Sequence, residues 1–169
     1  MTILEPKTHG RSGATPNFPE SANFTDAKPR SLAQAVQGAV RAFDGSKLRP
    51  VARHDAGLAF QPKVLLAVLS YCYARKIYAT KDVKGIMERD GEFRQHCQNE
   101  LPGTQIIRRF RSENREPVSL CLKEALRFEA EQKVKEGIVT RVSDTQLAEE
   151  ARRRLITAMF TDSIKRDEE

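Results

Sequence analysis

The sequence predicts an all-α protein: a small helical bundle that contains a helix-turn-helix-like unit and carries a disordered N-terminal arm. The first observation is periodicity, because apolar residues recur three and four positions apart through most of residues 31–160, as in amphipathic helices. The second is that Pro and Gly separate the periodic segments. The third is the composition of residues 1–30, which hold four of the eight prolines and few large apolar side chains. Such a segment cannot bury enough surface to offset the entropy lost on ordering.

Two segments open the helical part of the chain. Ser31 begins a helix that Gly45 ends, and its apolar stripe needs a partner surface. The stripe consists of Leu32, Val36, Val40 and Phe43. Residues 46–61 then form an irregular connector with three basic residues, Lys47, Arg49 and Arg53. A basic connector of this kind either follows the phosphates of a nucleic acid or is an ordinary solvated loop.

The predicted core helix comprises residues 63–76, which are apolar nearly all round, with Pro62 suited to its first turn. Thr80 is expected to cap a third helix at residues 81–89. Residues 92–99 are expected to form a short fourth helix. Short helices in close succession favour a compact bundle.

Two longer helices are predicted in the C-terminal third. Pro117 opens a helix at residues 118–136 that Gly137 ends, and residues 138–142 are predicted to be extended. Ser143 and Gln146 form a capping box for a last helix. Its inward stripe is Leu147, Ala151, Leu155 and Met159. We therefore divide the chain into an arm at residues 1–30, a helical domain at residues 31–142, and a C-terminal helix with an acidic tail at residues 143–169.

Residues 104–115, TQIIRRFRSENR, are the most informative stretch. The Leu-Pro-Gly run at residues 101–103 interrupts the preceding helix, and Thr104 can cap a new one. One face of the new helix is a narrow apolar stripe, formed by Ile106, Ile107 and Phe110. The other face carries Arg, Gln, Ser and Thr side chains. Arginine matches phosphate and the guanine edge, and Gln can read adenine, so the pattern is typical of a DNA recognition helix. The alternative is a solvated charged face.

Composition narrows the class of protein. The net charge is +6 and the isoelectric point is about 9.4, which permits an anionic partner, and the positive excess lies between Ser31 and Arg115. The three cysteines, at positions 72, 97 and 121, form no CxxC pair, so we expect neither a disulfide framework nor a zinc site. No apolar run approaches the roughly 20 residues of a membrane span, and we see no secretion signal. We expect a cytoplasmic protein with no cofactor and no membrane contact.

The sequence contains no phosphate-binding loop, nucleophile elbow or zinc-protease motif. It does contain several distinctive clusters in a fixed order, at residues 62–66, 71–73, 76–80, 89–94 and 104–111. In these clusters the region 57–126 resembles the N-terminal domain of bacterial insertion-sequence transposases of the IS5/IS1182 type. The resemblance implies a module that binds double-stranded DNA, in particular transposon terminal repeats.

The resemblance implies DNA-contacting residues on two helices. On the recognition helix they are Thr104, Gln105, Arg108, Arg109, Arg111 and Arg115, and on the third helix they are Lys81 and Lys84. In the transposases a domain with a metal-binding carboxylate triad follows this module. Here the later acids Asp144, Glu150 and Asp162 fall in predicted helices. We therefore expect a stand-alone or truncated DNA-binding module with no strand-transfer chemistry of its own, and not an enzyme.

A second class of function stays open at this point. The helices at residues 32–43, 118–136 and 144–160 each carry an apolar stripe. These stripes would also suit a homodimer, or an association with a full-length transposase that the chain inhibits. Oligomeric state and the salt dependence of any DNA binding would separate this interaction protein from the DNA-binding module.

Overall fold

The computed structural model describes residues 29, 31–51, 61–91, 101–138 and 140–167, with the backbone alone for residues 165–167. Within these ranges the chain forms six α-helices, one 3₁₀ turn at Gly45–Lys47 and no strand. This confirms the predicted all-α class. The helices are α1 (Leu32–Ala42), α2 (Pro62–Ala74), α3 (Thr80–Arg89), α4 (Thr104–Glu113), α5 (Arg115–Lys135) and α6 (Asp144–Asp167).

Helices α2 and α5 form the centre of the bundle. Helix α5 packs against α1, α2 and α6, while α2 also contacts α1, α3, α4 and α6. The sequence explains the position of α2, because its residues are apolar on every side and nine of its thirteen are buried. The buried hydroxyl of Ser70 donates to the carbonyl of Leu66 at 2.7 Å. Each fully buried Leu in such a helix contributes about 1.5–3 kcal/mol.

Helix ends follow local sequence signals in four places. The hydroxyl of Ser31 accepts from the backbone N–H of Gln34 at 3.2 Å and starts α1. The capping box before α6 is confirmed: Ser143 Oγ accepts from Gln146 N at 3.2 Å, and Gln146 Oε1 accepts from Ser143 N at 2.9 Å. Pro62 is the first residue of α2. Gly137, at φ 72°, ends α5, since only glycine adopts that conformation without strain.

Two predicted caps are wrong. Thr80 and Thr104 are the first residues of their helices, and the N-cap positions belong to Ala79 and Gly103, without side-chain cap bonds. The hydroxyl of Thr80 turns into the core instead, where it binds Asp162.

The predicted extended run does not form a strand at residues 138 and 140–142. The predicted fourth helix, the arm up to residue 28 and residues 52–60 of the connector lie outside the described residues.

One apolar core runs through the bundle. The inward stripe of α6 supplies Leu147, Ala151 and Leu155 to the same cluster as α2 and α5, with Met159 partly buried against it. The apolar core therefore continues across residue 143 into α6. None of the described helices combines the length and the apolar character that a membrane crossing requires.

Candidate functional site

Helix α4 has an inner and an outer face. Ile107 and Phe110 are buried on the inner face, while Gln105, Arg109 and Ser112 are exposed on the outer face, four and three residues apart. We call these three residues the outer face of α4. Burial of a large aromatic and a branched aliphatic side chain fixes the rotation of the helix about its axis, so the outer face is held toward solvent.

Arg111 occupies the inner face, contrary to its predicted role as a DNA contact. Its Nη1 donates to Asp162 Oδ2 at 2.6 Å and to the hydroxyl of Tyr73 at 3.3 Å. The residue is buried, and its charge is already matched by a carboxylate. We therefore remove Arg111 from the set of contacting residues. Four positions separate it from Ile107, so it shares the helical face that docks in the core.

Asp162 on α6 is the centre of this buried polar cluster. Its Oδ1 accepts from the backbone N–H of Thr80 at 2.9 Å, and its Oδ2 accepts from the hydroxyl of Thr80 as well as from Arg111. Burial alone opposes ionisation of this carboxyl, but the hydrogen bonds from Thr80 and Arg111 outweigh it, so its pKa lies below the ordinary value. Arg108 Nε lies 3.8 Å from the same carboxylate. The cluster thus joins α3, α4 and α6.

Sequence reasoning did not assign Asp162 this role. A signal was present, because Leu155, Ala158 and Asp162 follow one another three and four positions apart and all three are buried. An acidic residue at a position where an amphipathic helix faces the core needs a buried hydrogen-bond or ion-pair partner.

The remaining predicted residues are distributed over α3, α4 and the start of α5. Arg109 is 65% exposed and forms an ion pair with Glu113 at 3.1 Å. Thr104 is half-buried, and Arg108 is partly exposed beside Asp162. Arg115 is exposed on the first turn of α5. On α3, which packs against α4, Lys81 is exposed and Lys84 half-buried.

Asn114, which separates α4 from α5, is a structural residue that the sequence reading missed. Its side chain is fully buried. The Oδ1 atom accepts from Arg49 N at 2.8 Å, and Nδ2 donates to the carbonyls of Arg49 and Phe110 at 3.0 Å each. These bonds hold the backbone of Arg49, in the basic connector, beside the α4–α5 junction. An isolated Asn gives no signal of such a role.

Two further observations concern metal-ligating and nucleophilic side chains in the described part of the chain. Within it, no group of three or more His, Cys, Asp and Glu side chains could hold a metal ion. Cys72 and Cys121 are buried, and burial raises the pKa of each thiol to about 12. A thiol of that kind is not a nucleophile at neutral pH.

Comparison of the chain with protein-family models, with curated proteins and with solved structures finds no match. The resemblance to insertion-sequence transposases rests on the sequence clusters alone.

Proposed function

We propose that this chain is a DNA-binding module, related to the N-terminal domain of insertion-sequence transposases, and that it contacts the duplex through the outer face of α4. One observation carries the proposal. The outer face presents Gln105 and Arg109 one turn apart, while the opposite face is anchored by Phe110 and by the Arg111–Asp162 pair. A helix held by its inner face presents its polar residues in fixed positions, as a groove-reading helix must.

The ion pair between Arg109 and Glu113 does not block this role. Both side chains are accessible to solvent, and an exposed pair of this kind is worth about 0–1 kcal/mol. A phosphate or a guanine edge offers the guanidinium a bidentate partner, so the exchange of Glu113 for DNA costs little.

Basic residues around the outer face would bind the phosphates. Arg115 is exposed at the start of α5, and Asn114 holds the backbone of the exposed Arg49 at the α4–α5 junction. Arg108 is on α4 itself, while Lys81 and Lys84 are on the neighbouring helix α3. Phosphate contacts of this kind set affinity and salt dependence, and base contacts by Gln105 and Arg109 would set any sequence preference.

We propose no strand-transfer chemistry for this polypeptide. The three later acids each have cationic partners in the structure: Asp144 pairs with Lys123 and Arg127, Glu150 with Arg153 and Arg154, and Asp162 with Arg111. Asp144 and Glu150 are on the first two turns of α6, and Asp162 is buried. They serve as ion-pair partners and do not form a shared metal site.

The interaction-protein alternative loses its original support. The apolar stripes of α1 and α6 that motivated it contribute to the same core as α5, and both helices pack against α5. They are therefore satisfied within a single chain.

The test is a fluorescence-anisotropy titration with random-sequence duplex DNA at two salt concentrations. We expect the wild-type chain to bind, with an affinity that falls steeply as salt rises. The variant Arg109→Ala/Arg115→Ala removes one proposed base contact and one proposed phosphate contact, so its affinity should fall and its salt dependence should decrease by about one unit of slope. Arg111 is unsuitable for such a test, because its loss would leave Asp162 buried without its cationic partner.

The matched control is Arg141→Ala/Arg152→Ala, which removes one exposed arginine before α6 and one on α6. It should keep both the affinity and the salt slope of the wild type apart from a small change due to net charge. Failure of the wild type to bind at low salt would overturn the proposal. An equal loss in the control and the interface variant would mean that only net charge matters, and would overturn the assignment of the face.

A further inference from the structure

The outer side of α6 carries an apolar stripe that is separate from the inward stripe described above. Ile156, Phe160 and Ile164 are 65%, 66% and 46% exposed, and they recur four residues apart on one side of the helix. We call these three residues the α6 stripe. A large aromatic flanked by two isoleucines in an unbroken exposed row is the kind of surface that marks an interaction site.

We propose that the α6 stripe is the contact between two copies of this chain, whose α6 helices pair antiparallel about a two-fold axis at Phe160. In this arrangement Phe160 meets Phe160 of the second copy, and Ile156 meets Ile164. An interface on a two-fold axis must be self-complementary, and the spacing of the stripe is symmetric about Phe160. This inference is independent of DNA binding.

The charges that bound the stripe select the antiparallel direction. Arg153 lies seven residues before Phe160 and Asp167 lies seven residues after it, so at about 100° per residue both positions fall within about 20° of Phe160 around the helix. Antiparallel pairing sets Arg153 of one copy opposite Asp167 of the other. Parallel pairing would set Arg153 against Arg153, which is unfavourable. Lys165 and Arg166 fall about 120–140° away from Phe160 and outside the seam.

The polar residues beside the stripe tolerate burial. Thr157 Oγ1 donates to the carbonyl of Arg153 at 2.9 Å, and Ser163 Oγ donates to the carbonyl of Met159 at 3.2 Å. Each hydroxyl is satisfied within its own helix, so closing the seam leaves no unpaired donor. The exposed pair between Arg153 and Glu150, at 3.2 Å, contributes little and does not hold Arg153 away from the seam.

The size of the surface sets the expected strength. A stable interface buries roughly 800 Å² on each partner, and three side chains with their flanking residues supply only part of that area. The dimer should therefore be weak and dependent on concentration.

The experiment is sedimentation equilibrium of the full chain over a wide concentration range. We expect a reversible monomer–dimer equilibrium, and Phe160→Glu should raise its dissociation constant by about tenfold or more. The matched control is Ile138→Glu, since Ile138 is as exposed as Ile156, at 65%, but lies outside α6. This control should dimerise like the wild type.

Charge reversal tests the direction of pairing. Arg153→Asp and Asp167→Arg should each weaken the dimer, and the double variant should restore it. A wild type that stays monomeric at the highest concentration, or a dimer that Phe160→Glu leaves intact, would overturn the proposal. A monomer that loses stability on Phe160→Glu would also overturn it, because the stripe would then be covered by another part of the same chain.

Discussion

Oδ2 of Asp162 on α6 lies 2.6 Å from Nη1 of Arg111 on α4, and the two side chains are only 2% and 6% exposed. Tyr73 and Thr80 complete the cluster, through a hydroxyl on each and a backbone N–H of Thr80. Burying two charges is itself costly, so the pair need not add much net stability. Removing one partner is different, since it leaves the other charge buried and uncompensated.

Asp162→Asn should therefore lower the free energy of unfolding by about 3–5 kcal/mol at neutral pH. Urea unfolding followed by circular dichroism measures this. The matched control is Asp144→Asn on the same helix, where the carboxylate is exposed and its ion pairs are screened by solvent, so the loss should be much smaller. Equal losses for the two variants would contradict the structural role of the cluster.

A milder change at the same carboxylate keeps the prediction testable if Asp162→Asn does not fold. Thr80→Val removes the hydroxyl donor and preserves the shape of the side chain. We expect it to cost about 1.5–3 kcal/mol, the usual worth of a hydrogen bond to a charged group. A change near zero would show that the hydroxyl contributes nothing to holding Asp162.

Acid should weaken the fold through the same residue. The native pKa of Asp162 lies below the ordinary value of 3.8, so the native state binds its proton less readily than the unfolded chain does. The resulting stability is complete above the unfolded pKa and is lost as the pH falls through the native pKa. The difference in unfolding free energy between wild type and Thr80→Val should accordingly shrink below pH 3.8. A difference that stayed constant far into the acid range would contradict this.

Asn114→Ala should destabilise the junction between α4 and α5. The substitution removes three hydrogen bonds, two to the backbone of Arg49 and one to the carbonyl of Phe110. Because water can reach part of the exposed Arg49, we expect a loss of about 1–3 kcal/mol in urea unfolding. Ser112→Ala, on the exposed outer face, should change stability by no more than about 0.5 kcal/mol. Comparable losses would mean that the contact with Arg49 is incidental.

Lys76→Gly should stabilise the protein. Lys76 follows α2 at φ 60°, a left-handed conformation that costs a residue with a Cβ roughly 1–2 kcal/mol. Glycine relieves that strain but loses more entropy on folding, so the net gain should be about 0.5–1 kcal/mol, visible as a higher thermal midpoint.

Gly137→Ala is the opposite experiment. Gly137 has φ 72° and no heavy atom within 4 Å of an added Cβ, so only backbone strain acts, and a loss of about 1 kcal/mol is expected. If both substitutions moved stability in the same direction, the backbone explanation would fail.

The predictable parts of this fold are those that local sequence determines. The capping box of Ser143 and Gln146 acts over three residues, and Gly137 ends α5 through its own backbone. The inner face of α4 could likewise be read from the spacing of Ile107 and Phe110. Periodicity also placed Leu147, Ala151 and Leu155 in the core.

The roles of Thr80, Arg111 and Asn114 could not be read in this way. Thr80 was expected to cap its own helix, but its partner Asp162 lies 82 residues away. The sequence pattern predicts a DNA contact for Arg111, since helical spacing does not reveal that its partner is Asp162, 51 residues away. Asn114 binds Arg49, which lies 65 positions earlier in the chain. A polar side chain can satisfy a distant group as readily as a near one, and helical spacing alone does not distinguish the two.

The separation between Thr80 and Asp162 also bears on the order of folding. The loop that this contact closes spans 82 residues. Closing a long loop costs chain entropy before the contact contributes any stability. Helices α2 to α5 can associate through nearer contacts while Arg111 and the hydroxyl of Tyr73 still face water. During synthesis on the ribosome, α4 is made well before α6, so the guanidinium of Arg111 remains hydrated until residue 162 arrives. Docking of α6 is therefore the step that supplies the carboxylate partner of Arg111.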